Sequence, residues 1–259
     1  MKSSNRNSAE GFTLVELLVA MSMAGIIMAA IFSAYLVQVR GKNTQEMALE
    51  MQQGGRMALE VIAREIRQAG CNPSGDADAR ILVANKAELI FSMDVADDNC
   101  QDREDGDVCD CAEVIRYALT NDADENGIAD ATPCHLGRQT GAGLDASLLT
   151  VCADVTTPAN ISDENAVLVR NVDALDFVYL LEDGTRIPAP VAATDLDDIA
   201  GVQVTLIVRS GETLRALVGR NTDTTTYLND FGDTILPAPN DEFRRLQLST
   251  IVSGRNLRD

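Results

Sequence analysis

Residues 17–39, LLVAMSMAGIIMAAIFSAYLVQV, run for 23 positions without a charge. At about 1.5 Å of rise per residue this is enough helix to cross a hydrocarbon layer of roughly 30 Å, so the chain reads as single-pass and anchored near its N-terminus. A short polar stretch holding Lys2 and Arg6 precedes the run and ends abruptly at Gly11. An ordinary secretory signal has a shorter apolar core followed by a small-residue cleavage site, so any processing here falls before the span. Inside the apolar helix stands one acid, Glu16. A carboxylate at membrane depth costs on the order of 2.5–3.5 kcal/mol on insertion scales, so Glu16 either finds a cation or sits in water at the interface.

Helix-forming sequence continues beyond the span. Leu59, Ile62, Ile66 and Ala69 recur at three- and four-residue steps, which marks one apolar face. Gly70 and Pro73 then supply a stop. One helix from about Thr13 to Ala69 is predicted, roughly 85 Å long at 1.5 Å per residue, with Gly54-Gly55 as its weak point. Two helices joined at residues 40–42 are the alternative. Beyond Gly70 the period falls to two: Leu175, Phe177, Tyr179 and Leu181 alternate, as do Val202, Val204, Leu206 and Val208, and Leu246, Leu248, Thr250 and Val252. These read as half-buried strands. Residues 88–93, 113–119 and 148–153 are further strand candidates, and residues 182–184 and 209–211 are hairpin-like breaks. The fold class is α+β, with an antiparallel sheet packed by one face on the amphipathic half of the helix.

The soluble part is strongly acidic. The formal net charge is −19, and residues 94–130 hold 13 carboxylates against Arg103 and Arg116. Nucleic acid and anionic lipid need a basic footprint, so cations are the partners this composition favours. Within the stretch, residues 121–130 read NDADENGIAD. Asp122, Asp124 and Asn126 alternate so as to converge on one hard cation, Gly127 permits a sharp turn, and the Ile128 carbonyl with Asp130 would close the shell. Pro133 stands where an EF-hand has its last glutamate, so the spacing is that of a short calcium loop without flanking helices. An acidic solvent loop turning at Asn126-Gly127 is the alternative to calcium. Cys71, Cys100, Cys109, Cys111, Cys134 and Cys152 all lie beyond the span, and their even number suits disulfides in an oxidising compartment. Cys109 and Cys111 are too close to bridge each other easily, so each is expected to pair with a distant cysteine. His135 is the single histidine and no nucleophile motif accompanies it, which leaves a tethered enzyme little chemistry to work with.

The string Gly11-Phe12-Thr13-Leu14-Val15-Glu16-Leu17-Leu18-Val19-Ala20-Met21 resembles the processing site of type IV prepilins and type II secretion pseudopilins. Patches at residues 55–70, 172–179 and 243–246 resemble the PilW-type minor pilins, a family akin to GspJ-type pseudopilins. The resemblance implies a pilin fold, cleavage by prepilin peptidase between Gly11 and Phe12, and methylation of the new Phe12 amine. It also implies pairing of Glu16 with the N-terminal amine of a neighbouring subunit. Many major pilins carry a proline partway through the span, whereas here Ser33 lies in it and no proline precedes Pro73. The organisation that follows is a leader at 1–11, an assembly half of the helix at 12–39, an amphipathic half at 40–70, and a head at 71–259 with an acidic, cysteine-rich insertion at 94–152. The expected role is a minor type IV pilin that initiates or tips a filament, and the alternative is a secretion pseudopilin. Further alternatives are a calcium-dependent adhesin or a tethered enzyme. Other pilin subunits and an inner-membrane assembly platform are the implied partners. The head is expected in the periplasm and then at the cell surface.

Overall fold

The computed structural model describes residues 13–73, 79–94, 114–140, 167–211 and 222–257. Helix α1 spans Leu14–Ile66 as one element. The chain divides after Glu46 into two compact units. In the first, the helix exposes its apolar side chains, including Leu17, Ile26, Ile31 and Phe32, as a lipid-facing helix does. It is long and apolar enough to cross a membrane.

In the second unit the same helix becomes one-sided. Ala58, Leu59, Ile62, Ala63 and Ile66 are buried, followed by Ala69 after the helix, so the three- and four-residue rhythm maps onto the core face as expected. Helix α1 runs through Gly54 and Gly55 without a break. A Cβ on Gly55 would lie 2.4 Å from Leu248 Cδ1, and one on Gly54 would lie 3.2 Å from Val169 Cγ2. At both glycines the sheet side chains pack close against the helix backbone.

The strands are β1 (Ile81–Ala84), β2 (Leu89–Ser92), β3 (Val114–Leu119), β4 (His135–Thr140), β5 (Val167–Arg170), β6 (Val172–Leu180), β7 (Arg186–Ile187), β8 (Gly201–Arg209), β9 (Tyr227–Leu228), β10 (Thr234–Leu236) and β11 (Arg245–Ser253). Among the described residues they form not one antiparallel sheet but three: a five-stranded meander β1-β2-β3-β4-β5, a four-stranded sheet β11-β8-β6-β7, and the pair β10-β9. Two central strands, β3 and β4, come from the acidic stretch 94–152. Residues 182–184 turn between β6 and β7, while the strand after residues 209–211 that joins β8 is the distant β11. The strand candidate at 148–153 lies outside the described residues.

The half-buried reading holds for β11 and fails for β6 and β8, in which every residue is buried. The outer face of the four-stranded sheet has its own cover. Ala174 of β6 and Ile207 of β8 pack with Ile235, Leu236, Ile128 and Tyr227, contributed by the β9–β10 pair and the acidic loop.

Candidate functional site

The chemistry legible in the sequence falls at two places. At the start of α1, the Glu16 carboxylate accepts the Thr13 backbone N–H at 3.0 Å and the Thr13 hydroxyl at 2.9 Å, while Thr13 Oγ1 accepts the Glu16 N–H at 3.3 Å. This is a reciprocal capping box, in which the acid satisfies donors that a helix N-terminus leaves open. Both bonds to Glu16 fall on Oε2, and Oε1 accepts none among the described residues. Gly11 and Phe12 lie outside the described residues.

The second place is the connection between β3 and β4. Its ends are clamped by the Thr120 N–H on the His135 carbonyl and the His135 N–H on Thr120 Oγ1. Its far side docks on β6, where the Leu175 N–H meets the Gly127 carbonyl at 2.9 Å and the Ala129 N–H meets the Asp173 carbonyl at 3.0 Å. Gly127 has φ +87°, and a Cβ there would strike the Leu175 carbonyl oxygen at 2.4 Å. Ile128, the bridge partner of Ala174, therefore turns its own N–H and C=O back towards the loop.

On that inner side Asp122, Asp124 and Asp130 each bring a carboxylate oxygen within 4.8 Å of the others. Asn126 donates to Asp124 at 2.7 Å and accepts the Ile128 N–H at 2.7 Å. The Gly127 and Asn126 N–H groups both reach Asp122, and the Ala123 N–H reaches Asp130 at 2.7 Å. The loop thus gathers the three aspartates of the sequence pattern and sets Asn126 against Asp124, with the Ile128 N–H on Asn126. Oxygens about 2.4 Å from one ion lie up to about 4.8 Å apart, so the three carboxylates are close enough together to hold a metal ion. Burial pushes the Asp122 carboxyl above its usual range, and the neighbouring Asp124 adds to the effect.

Cys71 and Cys134 are not bridged to each other, and Cys100, Cys109, Cys111 and Cys152 lie outside the described residues. Cys134 is buried, which pushes its thiol pKa up. His135 is a half-buried strand residue whose Nδ1 accepts the Asn171 N–H at 3.2 Å.

Two ionic clusters escaped the sequence reading. On the helix, buried Glu65 accepts the Tyr117 hydroxyl in a short hydrogen bond and the Arg138 guanidinium at 3.0 Å, joining α1 to β3 and β4. Its signal was available: Glu65 follows Ile62 by three residues and so lies on the apolar stripe. In the sheet, Arg245 is ringed by Asp173 at 2.7 Å, Asp223 at 3.3 Å and Asp241 at 2.7 Å. No local pattern announces that cluster, because the three acids come from separate segments.

The family described as "Prokaryotic N-terminal methylation motif" matches residues 6–32. In this chain that motif runs into a long apolar helix, which antiparallel sheets follow. A type IV-like pilin from Thermus thermophilus is a similar solved structure, at 15% identity, with 80% of this chain and 98% of that chain covered and a TM-score of 0.46. No curated protein matches the chain.

Proposed function

We propose that this chain is a minor type IV pilin, a structural subunit that prepilin peptidase cuts between Gly11 and Phe12 and methylates on Phe12. The supporting observation is the methylation motif at residues 6–32 running into an apolar helix that carries Glu16. Cleavage leaves a cationic amine at membrane depth. The Glu16 carboxylate of a neighbouring subunit is its partner, and two groups that are each costly in lipid become tolerable together in one docking register. The head then lies in the periplasm and joins other pilin subunits at the start or tip of a filament. Intact mass of the protein from membranes tests the processing step: a methylated chain beginning at Phe12 is expected, and retention of residues 1–11 overturns it. Deletion of the gene is expected to remove pili. Intact pili with lost protein secretion would assign the chain to a secretion pseudopilus instead.

A second reading is favoured by the convergence of three carboxylates: Asp122, Asp124, Asn126, Ile128 and Asp130 hold calcium. The ion neutralises the crowded acids and orders the β3–β4 connection against β6. Calorimetry on the full chain in detergent is expected to show a higher Tm with calcium, and no such gain in Asp122→Asn. An unchanged wild-type Tm removes the reading.

A further inference from the structure

Exposed sheet edges are templates for pairing with another chain, and proteins normally blunt them with short strands, bulges, prolines or charges. Among the described residues the two larger sheets have four edges, of which three are blunted. Strand β1 is four residues with a break in register, β5 is four residues with a break in register and ends in exposed Arg170, and β7 is two residues running into Pro188. The fourth edge, β11, is nine residues long and pairs with β8 in unbroken register from Arg245↔Arg209 to Ser253↔Gly201. Residues 246–253 hold no charge and no proline.

The direction of its backbone groups follows from the ladder. The Ser210 N–H on the Arg244 carbonyl and the Gly254 N–H on the Ala200 carbonyl make the two end pairs wide ones. By alternation, Leu246, Leu248, Thr250 and Val252 spend their N–H and C=O on β8. Gln247, Ser249 and Ile251 turn theirs to the open side, where no partner meets them among the described residues. Exposed apolar surface lies beside this edge: Ile251 is 59% exposed and Leu228 is 43% exposed. Gln247 Nε2 donates to the Leu228 carbonyl at 2.7 Å, which fixes the turn carrying Leu228 and Asp230 over the strand.

A second copy fits this edge poorly. Antiparallel self-pairing centred on Ser249 would place the two Asp230 carboxylates on either side of the two-fold, each 3.3 Å from its own Ser249 hydroxyl. Like charges so placed repel, and two chains of net charge −19 add to it. A strand with Lys or Arg opposite Ser249 turns the same acid into an attraction.

We propose that β11 receives an extended strand from a different protein chain, bonded through the backbones of Gln247, Ser249 and Ile251, with a basic residue meeting Asp230 and apolar side chains on Ile251 and Leu228. The inference stands on the sheet alone and is independent of the pilin reading. Two labelled heptapeptides serve as probes on the full chain in detergent: Thr-Val-Thr-Lys-Thr-Val-Thr and its Glu counterpart. Saturable binding by fluorescence anisotropy is expected, with slowed amide exchange in residues 245–253 and a preference for the Lys peptide of about threefold. Asp230→Asn is expected to erase that preference. Ile251→Pro removes an outward N–H without taking a bond from β8, and is expected to weaken binding by about tenfold at an unchanged melting temperature. Should that variant melt lower, Ile251→Lys, which places a charge on the edge, carries the same expectation. Absence of saturable binding, or equal binding by a stably folded Ile251 variant, overturns the proposal. So does a concentration-dependent dimer that the Ile251 variants dissolve, which would mean a second copy.

Discussion

Gly127 and Gly184 both hold the left-handed backbone, with φ +87° and +82°, yet they are not equivalent. Nothing lies within 4 Å of a Cβ on Gly184, whereas on Gly127 it would meet the Leu175 carbonyl oxygen at 2.4 Å. Gly184→Ala is expected to cost about 1 kcal/mol, the strain alone. Gly127→Ala is expected to cost about 3 kcal/mol, because backbone atoms of β6 must also move. Urea midpoints of the two variants check this, and equal losses would mean the loop does not dock on β6. At this scale the sequence was informative wherever a residue was anomalous for its surroundings. Glu16 in an apolar run and the alternating Asp122, Asp124 and Asn126 were both legible. The role of Gly55 in admitting Leu248 was not legible, because a helical glycine looks the same in sequence whether it loosens a helix or makes room for a neighbour.

The element most dependent on a polar contact is the head-packed end of α1. Glu65 is 8% exposed, held by Tyr117 from β3 and Arg138 from β4. Burial and the nearby Glu65 charge push the Tyr117 hydroxyl pKa well above its usual value, so it stays a donor throughout the working range. Tyr117→Phe removes one donor and leaves the ion pair, and is expected to cost about 1–2 kcal/mol. Arg138→Met leaves a buried carboxylate without a counter-charge. It is expected to cost more, about 2–4 kcal/mol after allowing for the partial exposure of Arg138. Chemical denaturation of both variants gives the order, and the reverse order would show that the hydroxyl, not the charge, carries the contact. The alternation in β6, β8 and β11 announced strands, since period two is a local property. It could not announce that β6 and β8 are covered on both faces, because the cover comes from β9, β10 and the loop at 121–130, which are remote in sequence. Nor did it show that the meander and the four-stranded sheet are separate, which depends on strand order.

Across the whole molecule, acids of opposite temper set the response to pH. Burial holds the Asp173 and Asp176 carboxyls above their usual range, so their charged forms are penalised in the fold and the penalty fades as pH falls through the raised values. Hydrogen bonds from Arg245 hold Asp241 below its usual range. Burial works against the same outcome at Asp223, but donors from Thr225, Tyr227 and Arg245 prevail and hold it low as well. These two therefore contribute stability that is present above the unfolded carboxylate value of about 3.9 and is lost as pH falls through their depressed folded values. Loss of Asp241 and Asp223 as anions also leaves Arg245, whose side chain is 3% exposed, short of counter-charge. Lowering the pH from 7 to about 5 is expected to leave the urea midpoint level or raised, helped by the shrinking net charge, and the midpoint should fall steeply below about pH 4. Asp241→Asn removes one of the two titrating acids, so its midpoint should be lower at neutral pH and its acid limb shallower than in the wild type. A wild-type midpoint still climbing below pH 3, or an acid limb unchanged in Asp241→Asn, would show that the Arg245 cluster does not govern acid stability.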